Sequence, residues 1–152
     1  MSAGCQVDNR VAPLLDNFQE WLEQIGVLIG TAIFGIAGVK VEFRGLEHRP
    51  TGPALLACKH QGMLDVIAPF SFLDDTCFIM KKELMVLPFF GWFAWKTRMI
   101  AVDRSAHSKA LKDMVRQARV RHAEGRQILI FPEGTRGEIG AAPDYKPGIA
   151  AL

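Results

Sequence analysis

Long apolar runs, cysteine motifs and strong net charge are all missing from this chain. The longest uncharged run, Gln24 to Val39, has 16 residues and as a helix would reach about 24 Å against a hydrocarbon core of about 30 Å. It is short for a span. Nor does it follow a basic stretch: Asp16, Glu20 and Glu23 stand where a secretory signal peptide carries positive charge. The three cysteines, Cys5, Cys58 and Cys77, form no CxxC pair and no His-bearing zinc spacing, so neither a disulfide framework nor a metal site is indicated. A reducing cytosol is the default. A net charge of +2 is too small for nucleic-acid binding, and the basic residues are not interleaved with aromatics as a single-strand platform requires. There is no GxSxG nucleophile elbow, no internal repeat, no low-complexity tract and no interdomain linker. What remains is 152 residues with 49% hydrophobic and 22% charged side chains, enough for one domain with a usable core.

The composition breaks near Lys40. Before it, Val11, Leu14, Leu15, Phe18, Trp21, Leu22 and Ile25 recur at three- and four-residue steps with Asp16, Glu20 and Glu23 on the other side, which predicts an amphipathic helix that becomes apolar all round. Gly26 and Gly30 form a GxxxG step, read either as a close helix contact in lipid or as small residues in a packed helix. Residues 1–39 are expected to be a membrane-associated helical segment, inserted or interfacial, ahead of a domain over residues 40–152. In that domain strands and helices alternate. Val39–Phe43 has period two, while Pro53–Cys58, Thr76–Met80 and Gln127–Phe131 are short apolar runs bounded by turns. A helix from about Ser105 to His122 turns Ala110, Leu111, Met114, Val115 and Ala118 inward and ends at Gly125. The pattern is that of an α/β domain with one core.

Two short segments carry the chemistry. In His60-Gln-Gly-Met-Leu-Asp65, residues five apart on a straight helix are rotated by about 140°, so the pair can meet only across a turn. With His60 at a strand end and Asp65 in the first turn of the next helix, the carboxylate would fix the imidazole tautomer and leave the other nitrogen free to take a proton. The competing reading is a strand-end histidine beside a capping aspartate. Cys58 shares a strand face with His60, which leaves a Cys-His nucleophile pair geometrically open, although a cysteine in an apolar strand is usually a small hydrophobe. In Phe131-Pro-Glu-Gly-Thr-Arg136, Gly134 permits close backbone approach, successive N–H groups can converge on an anion, and Arg136 can hold a phosphate with two hydrogen bonds. The competing reading is an exposed loop after a core strand.

Between these segments lies Ile100-Ala-Val-Asp-Arg104. The order HxxxxD, hydrophobic-Asp-Arg, FPEGTR resembles the glycerophospholipid acyltransferase family. The resemblance implies an acyltransferase-like mixed sheet surrounded by helices, and transfer of an acyl group from an acyl thioester to the free hydroxyl of a lysophosphatidate, giving phosphatidate. It makes His60 the general base and Asp65 its orienting partner, with Glu133, Gly134, Thr135, Arg136 and Arg104 binding the glycerol phosphate. Lys81 matches a lysine of bacterial members and is a further phosphate candidate, against the reading of a solvated helix start. No metal or resident cofactor is implied; acyl-coenzyme A or acyl carrier protein is the co-substrate and membrane lysophosphatidate the lipid partner. The implied location is the cytoplasmic membrane with the site facing the cytosol. Members commonly have Ser where this chain has Gly62. Tyr145–Leu152 matches the start of the segment after FPEGTR, and members continue further, so a C-terminally truncated chain is expected. A non-catalytic remnant that binds phospholipid or phosphate is the alternative function.

Two stretches admit two readings each. Lys109, Lys112, Arg116 and Arg119 form one helix stripe, either a solvated face or a contact with anionic lipid. The aromatic run Pro88–Trp95 is either core and lid packing or a membrane-proximal element beside the site.

Overall fold

The structure, a computed structural model, describes residues 12–152; the side chains of residues 12–20, 22, 23, 31, 106 and 107 lie outside the description. Four short strands, β1 (Ala54–Ala57), β2 (Thr76–Lys81), β3 (Ile100–Val102) and β4 (Gln127–Ile130), make one sheet in the order β1-β4-β2-β3. All three pairings are parallel. Parallel neighbours need crossover connections, which carry α2 (Leu64–Ile67), α3 (Phe90–Lys96) and α4 (His107–Ala123).

The strands form because both faces are covered. β4 is buried along its whole length, as expected of a central strand in a parallel sheet. Ile128 and Ile130 pack with Cys77, Ile100, Met114 and Ala118 on the α4 face. Leu129 points the other way, to Leu73, Phe78, Ala94 and Met99. On α4, Ala110, Met114 and Ala118 are buried, Leu111 and Val115 half-buried, and the four basic residues of the stripe exposed. The helix stops at Gly125, whose φ of 90° allows the Gly125 N–H to reach the His122 carbonyl and the Arg126 N–H the Arg121 carbonyl, a Schellman cap.

That cap delivers Arg126 and Gln127 to the amino edge of the sheet. Arg126 is 3% exposed and donates to Asp75 Oδ1 at 2.8 Å, the Thr97 carbonyl at 2.9 Å and the Thr76 carbonyl at 3.0 Å. Gln127 accepts the Asp74 N–H and donates to the Pro50 and Gly52 carbonyls. One buried amide thus pins the chain entering β1 and the chain entering β2 to β4, and no part of it is left unpaired.

Several expectations need correction. The implied mixed sheet is all parallel among the described residues. Val39–Phe43 is not a strand: alternation makes a strand only where a neighbour supplies ladder bonds, and here Phe43 packs edge-on to Phe72 at 5.5 Å while Arg44 pairs with Glu42 at 2.8 Å. Residues 104–106 form a 3-10 turn before α4 begins, and most of the aromatic run coils into α3.

The predicted N-terminal helix is α1 (Ala12–Ile36). Val11 and the side chains of Leu14, Leu15, Phe18 and Leu22 lie outside the described residues, as does Cys5. Gly30 is buried against α2, where an added Cβ would fall 2.3 Å from Ile67 Cγ2; this favours the packed-helix reading at Gly30, though not at Gly26. Leu28, Ile29, Ile33 and Ile36 are exposed, Ile36 at 88%. No helix among the described residues is long and apolar enough to cross a membrane.

Two glycines test how close packing is distributed. A Cβ on Gly91, buried in α3, would lie 1.9 Å from the Met85 carbonyl oxygen, whereas one on Gly26 meets nothing within 4 Å. Gly91→Ala should therefore lower unfolding free energy by about 1–3 kcal/mol. Gly26→Ala should be neutral or raise it by up to about 1 kcal/mol through helix propensity. Urea unfolding of the two variants checks both signs.

Candidate active site

Parallel pairing sets Ala57 beside Ile130, and the ladder continues one step, from the Cys58 N–H to the Ile130 carbonyl at 2.9 Å. Both motif segments therefore leave the sheet at its carboxyl edge from adjacent strands. The Gly137 N–H then donates to the His60 carbonyl at 2.8 Å, tying the FPEGTR loop to the backbone of the histidine itself.

His60 and Asp65 meet across the predicted turn. Asp65 is the second residue of α2, and its Oδ2 lies 3.1 Å from His60 Nδ1. The same oxygen accepts the Gln61 and Gly62 N–H groups, so the carboxylate organises the turn as well as the imidazole. Burial by itself raises the Asp65 carboxyl; the two backbone N–H bonds, the His60 bond and the imidazole's charge outweigh it and hold the carboxyl below its ordinary value. An ionised Asp65 accepts only, so His60 Nδ1 carries the proton and Nε2 is the free base in the neutral ring. The ring stacks on Phe131 at 4.2 Å between centroids, and its side chain is 16% exposed. Cys58 offers no thiolate beside it. Burial, together with the Asp65 charge, pushes that thiol up, away from nucleophilic reactivity.

Gly134 has a φ of 70°, the left-handed region that glycine enters without strain. Arg104 Nη1 donates to the Gly134 carbonyl at 2.7 Å, and a Cβ at Gly134 would sit 3.2 Å from that nitrogen. Glu133 is 6% exposed, and its Oε2 has no hydrogen-bond partner among the described residues. Arg136 and Thr135 are exposed, as is Lys81 at the end of β2. A cavity of about 940 Å³ joins these groups: His60, Lys81, Arg104, Glu133, Gly134, Thr135 and Arg136 all line it, and Asp65 stands behind His60. Apolar side chains from both faces of the sheet, among them Phe70, Phe93, Met99 and Leu111, make up most of its remaining wall. Among the described residues no His, Cys, Asp and Glu group could hold a metal ion.

Sequence reasoning missed three contacts that assemble the site: the Gly137–His60 backbone bond, the Arg104–Gly134 bond and the His60–Phe131 stack. The backbone bond leaves no trace in residue type. The stack leaves none either, because it needs the strands before His60 and Phe131 to be neighbours, which alternation does not record.

Because the Asp65 carboxyl is depressed in the folded state, its contribution to stability is fully present above the unfolded value of about 3.9 and is lost as pH falls through the lower native value. The stability gap between the wild-type protein and Asp65→Ala should accordingly be constant above about pH 5 and shrink progressively below about pH 4. Chemical unfolding at a series of pH values measures it; a gap that widens in acid would show that the carboxylate is not held ionised by this turn.

The sequence profile of the Acyltransferase family matches residues 40–152. Among curated proteins, the chain is 37% identical over 117 residues to the 1-acyl-sn-glycerol-3-phosphate acyltransferase of Pseudomonas aeruginosa, covering 77% of this chain and 46% of that protein. It is 34% identical over 111 residues to the Helicobacter pylori protein of the same name, covering 72% of this chain and 46% of that one. The chain spans less than half the length of these relatives. The crystal structure of PlsC, the 1-acyl-sn-glycerophosphate acyltransferase of Thermotoga maritima, superposes with a TM-score of 0.65 at 23% identity, covering 93% of this chain and 54% of that one; the α/β fold is shared. With the HxxxxD pair, the Arg104 segment and the FPEGTR loop joined at one sheet edge, this chain belongs to the Acyltransferase family.

Proposed function

We propose that this site transfers an acyl group from an acyl thioester, on coenzyme A or acyl carrier protein, to the free hydroxyl of 1-acyl-sn-glycerol-3-phosphate, giving phosphatidate. The observation that carries the reading is a histidine with Nδ1 bonded to an ionised carboxylate, facing a cavity that also holds two arginines. His60 Nε2 takes the hydroxyl proton as the oxygen attacks the thioester carbonyl. The tetrahedral intermediate collapses, the carbon–sulfur bond breaks, and the proton passes from the imidazole to the departing thiolate. No covalent acyl-enzyme is needed, in keeping with the raised Cys58 thiol.

Charge around the cavity suits a phosphate. Arg136 and Lys81 are exposed cations without an ion-pair partner among the described residues, and Arg104 keeps further N–H groups beyond the one given to Gly134. Glu133, whose buried Oε2 has no hydrogen-bond partner among the described residues, is not counted among the phosphate contacts in this reading, since a carboxylate repels a phosphate. The apolar wall suits a fatty-acyl chain. On α1, Trp21, Leu28, Ile29, Ile33 and Ile36 fall within an arc of about 140° that excludes the docked Gly30. This face supports interfacial attachment to the cytosolic side of the cytoplasmic membrane, where the lipid substrate resides.

His60→Ala should reduce acyl transfer by on the order of 100- to 10,000-fold without releasing the protein from membranes; wild-type turnover in that variant would remove His60 from the mechanism. Arg136→Ala should act differently, chiefly raising the Michaelis constant for lysophosphatidate. Charge-assisted hydrogen bonds of roughly 1.5–3 kcal/mol correspond to about 10- to 150-fold, with a smaller effect on the acyl donor. Arg136→Lys keeps charge but not the two-pronged geometry and should recover only part of it. Steady-state kinetics varying each substrate separates the two roles, and an unchanged Michaelis constant in Arg136→Ala would make FPEGTR a structural loop.

A further inference from the structure

We propose that the turn and helix over residues 86–95 form a second membrane contact, distinct from α1, which seats the mouth of the cavity on the lipid surface. The inference rests on the reading that the substrate is a membrane lipid and extends it to a surface which that reading does not require. Val86, Leu87, Phe89, Phe90, Trp92 and Trp95 are all exposed, Phe89 at 88% and Val86 at 82%. Six large apolar side chains within ten residues are a concentrated patch, not scattered surface hydrophobics.

The backbone is shaped to present this patch. Phe89 has φ 61° and ψ −51°, and the Phe90 N–H donates to the Pro88 carbonyl at 2.6 Å. Together these define a γ-turn of the rare, strained hand, adopted by a bulky aromatic residue. Immediately after it, Gly91 packs so closely on the Met85 carbonyl that no side chain fits. The strained turn is thus clamped from behind while its ring projects outward, and such strain persists where surrounding structure fixes it for a use.

Three features favour lipid over protein as the occupant. Phe90 and Phe93, both on α3, line the cavity, so the patch is continuous with the proposed lipid site. Two exposed indoles accompany the aliphatic and phenyl groups, the residue mix of a membrane–water interface. A lysine borders the patch: Lys96 lies 5.0 Å over the Trp95 ring. Lysine is depleted in protein–protein interfaces and favoured beside anionic headgroups. On this arrangement an acyl chain leaving the bilayer enters past Phe90 without crossing water.

The chain's tryptophans, Trp21, Trp92 and Trp95, allow α1 and α3 to be read separately. Single-tryptophan proteins, one keeping Trp21 and one keeping Trp95 with the others changed to Phe, would be mixed with vesicles of phosphatidylcholine and phosphatidylglycerol. The lipids would be used with and without bromine on the acyl chains. Trp95 fluorescence should shift to the blue and be quenched by the brominated chains, and Phe89→Ser should weaken vesicle partitioning about tenfold with unchanged circular dichroism. That variant should also retain turnover on short-chain, monomeric lysophosphatidate, which keeps this test apart from the chemistry at His60. Quenching of Trp21 with none of Trp95 would confine membrane contact to α1 and overturn the proposal. So would a blue-shifted Trp95 without vesicles in a protein that sediments as a dimer, because a second copy would then cover the patch. Absence of quenching at both positions would sink the membrane reading as a whole.

Discussion

The register between β1 and β4 is the constraint on which the site depends. With Ala57 opposite Ile130, the two chains leave the sheet in step, and the Gly137 N–H finds the His60 carbonyl. A slip of one residue would invert every side chain of one strand relative to the other and would turn His60 away from Phe131. The register is itself set at the far end of the strands, where the buried Gln127 amide bonds the chain ahead of both β1 and β2. Polar groups at the amino edge therefore fix the position of polar groups at the carboxyl edge, through strands only four to six residues long.

The two edges treat charge in opposite ways. At the amino edge Arg126 is buried, with an ion pair to Asp75 and carbonyl partners for its remaining groups; a charge removed from water requires that degree of pairing. At the carboxyl edge Arg136 and Lys81 stay exposed around the cavity without such pairing among the described residues. Exposed cations cost little to maintain and keep their donors for a ligand, while a saturated arginine has none to give. The asymmetry points to the carboxyl edge as the functional one, where open parallel sheets generally bind their ligands.

Much of the fold was legible in the sequence because core strands and the inner face of α4 have periods that burial enforces. Pro53–Cys58 and Gln127–Phe131 each contain an observed strand, and Thr76–Met80 covers all of β2 but its last residue, Lys81. Val39–Phe43 has the same alternation and no strand, since alternation records which side chains prefer burial and not whether a pairing partner exists. His60, Asp65, Arg104 and the FPEGTR residues were legible as chemistry through their order and spacing. Their assembly was not. It depends on main-chain donors and acceptors, at Gly137, His60 and Gly134, that every residue type possesses. The strained turn at Phe89 was hidden for a related reason: the aromatic run reads either as packing or as a membrane-proximal element, and neither reading carries the backbone dihedrals or the outward ring that the structure gives Phe89.

The division of exposure within the site follows from what each group has to do on the proposed reading. A general base needs one tautomer and one orientation, and His60 obtains both from a partly buried carboxylate, a backbone bond and a stacked ring. Fixing it further inside the core would strip water from the imidazolium formed during proton transfer and oppose the step. A phosphate contact has the reverse requirement, because burying a doubly charged group costs more than a few hydrogen bonds return, and Arg136 and Lys81 lie where the headgroup remains hydrated. The acyl chain alone gains from leaving water, and the cavity wall away from the motifs is accordingly apolar. One sheet edge thus grades from dry to wet in the same sense as the amphiphile it is proposed to hold.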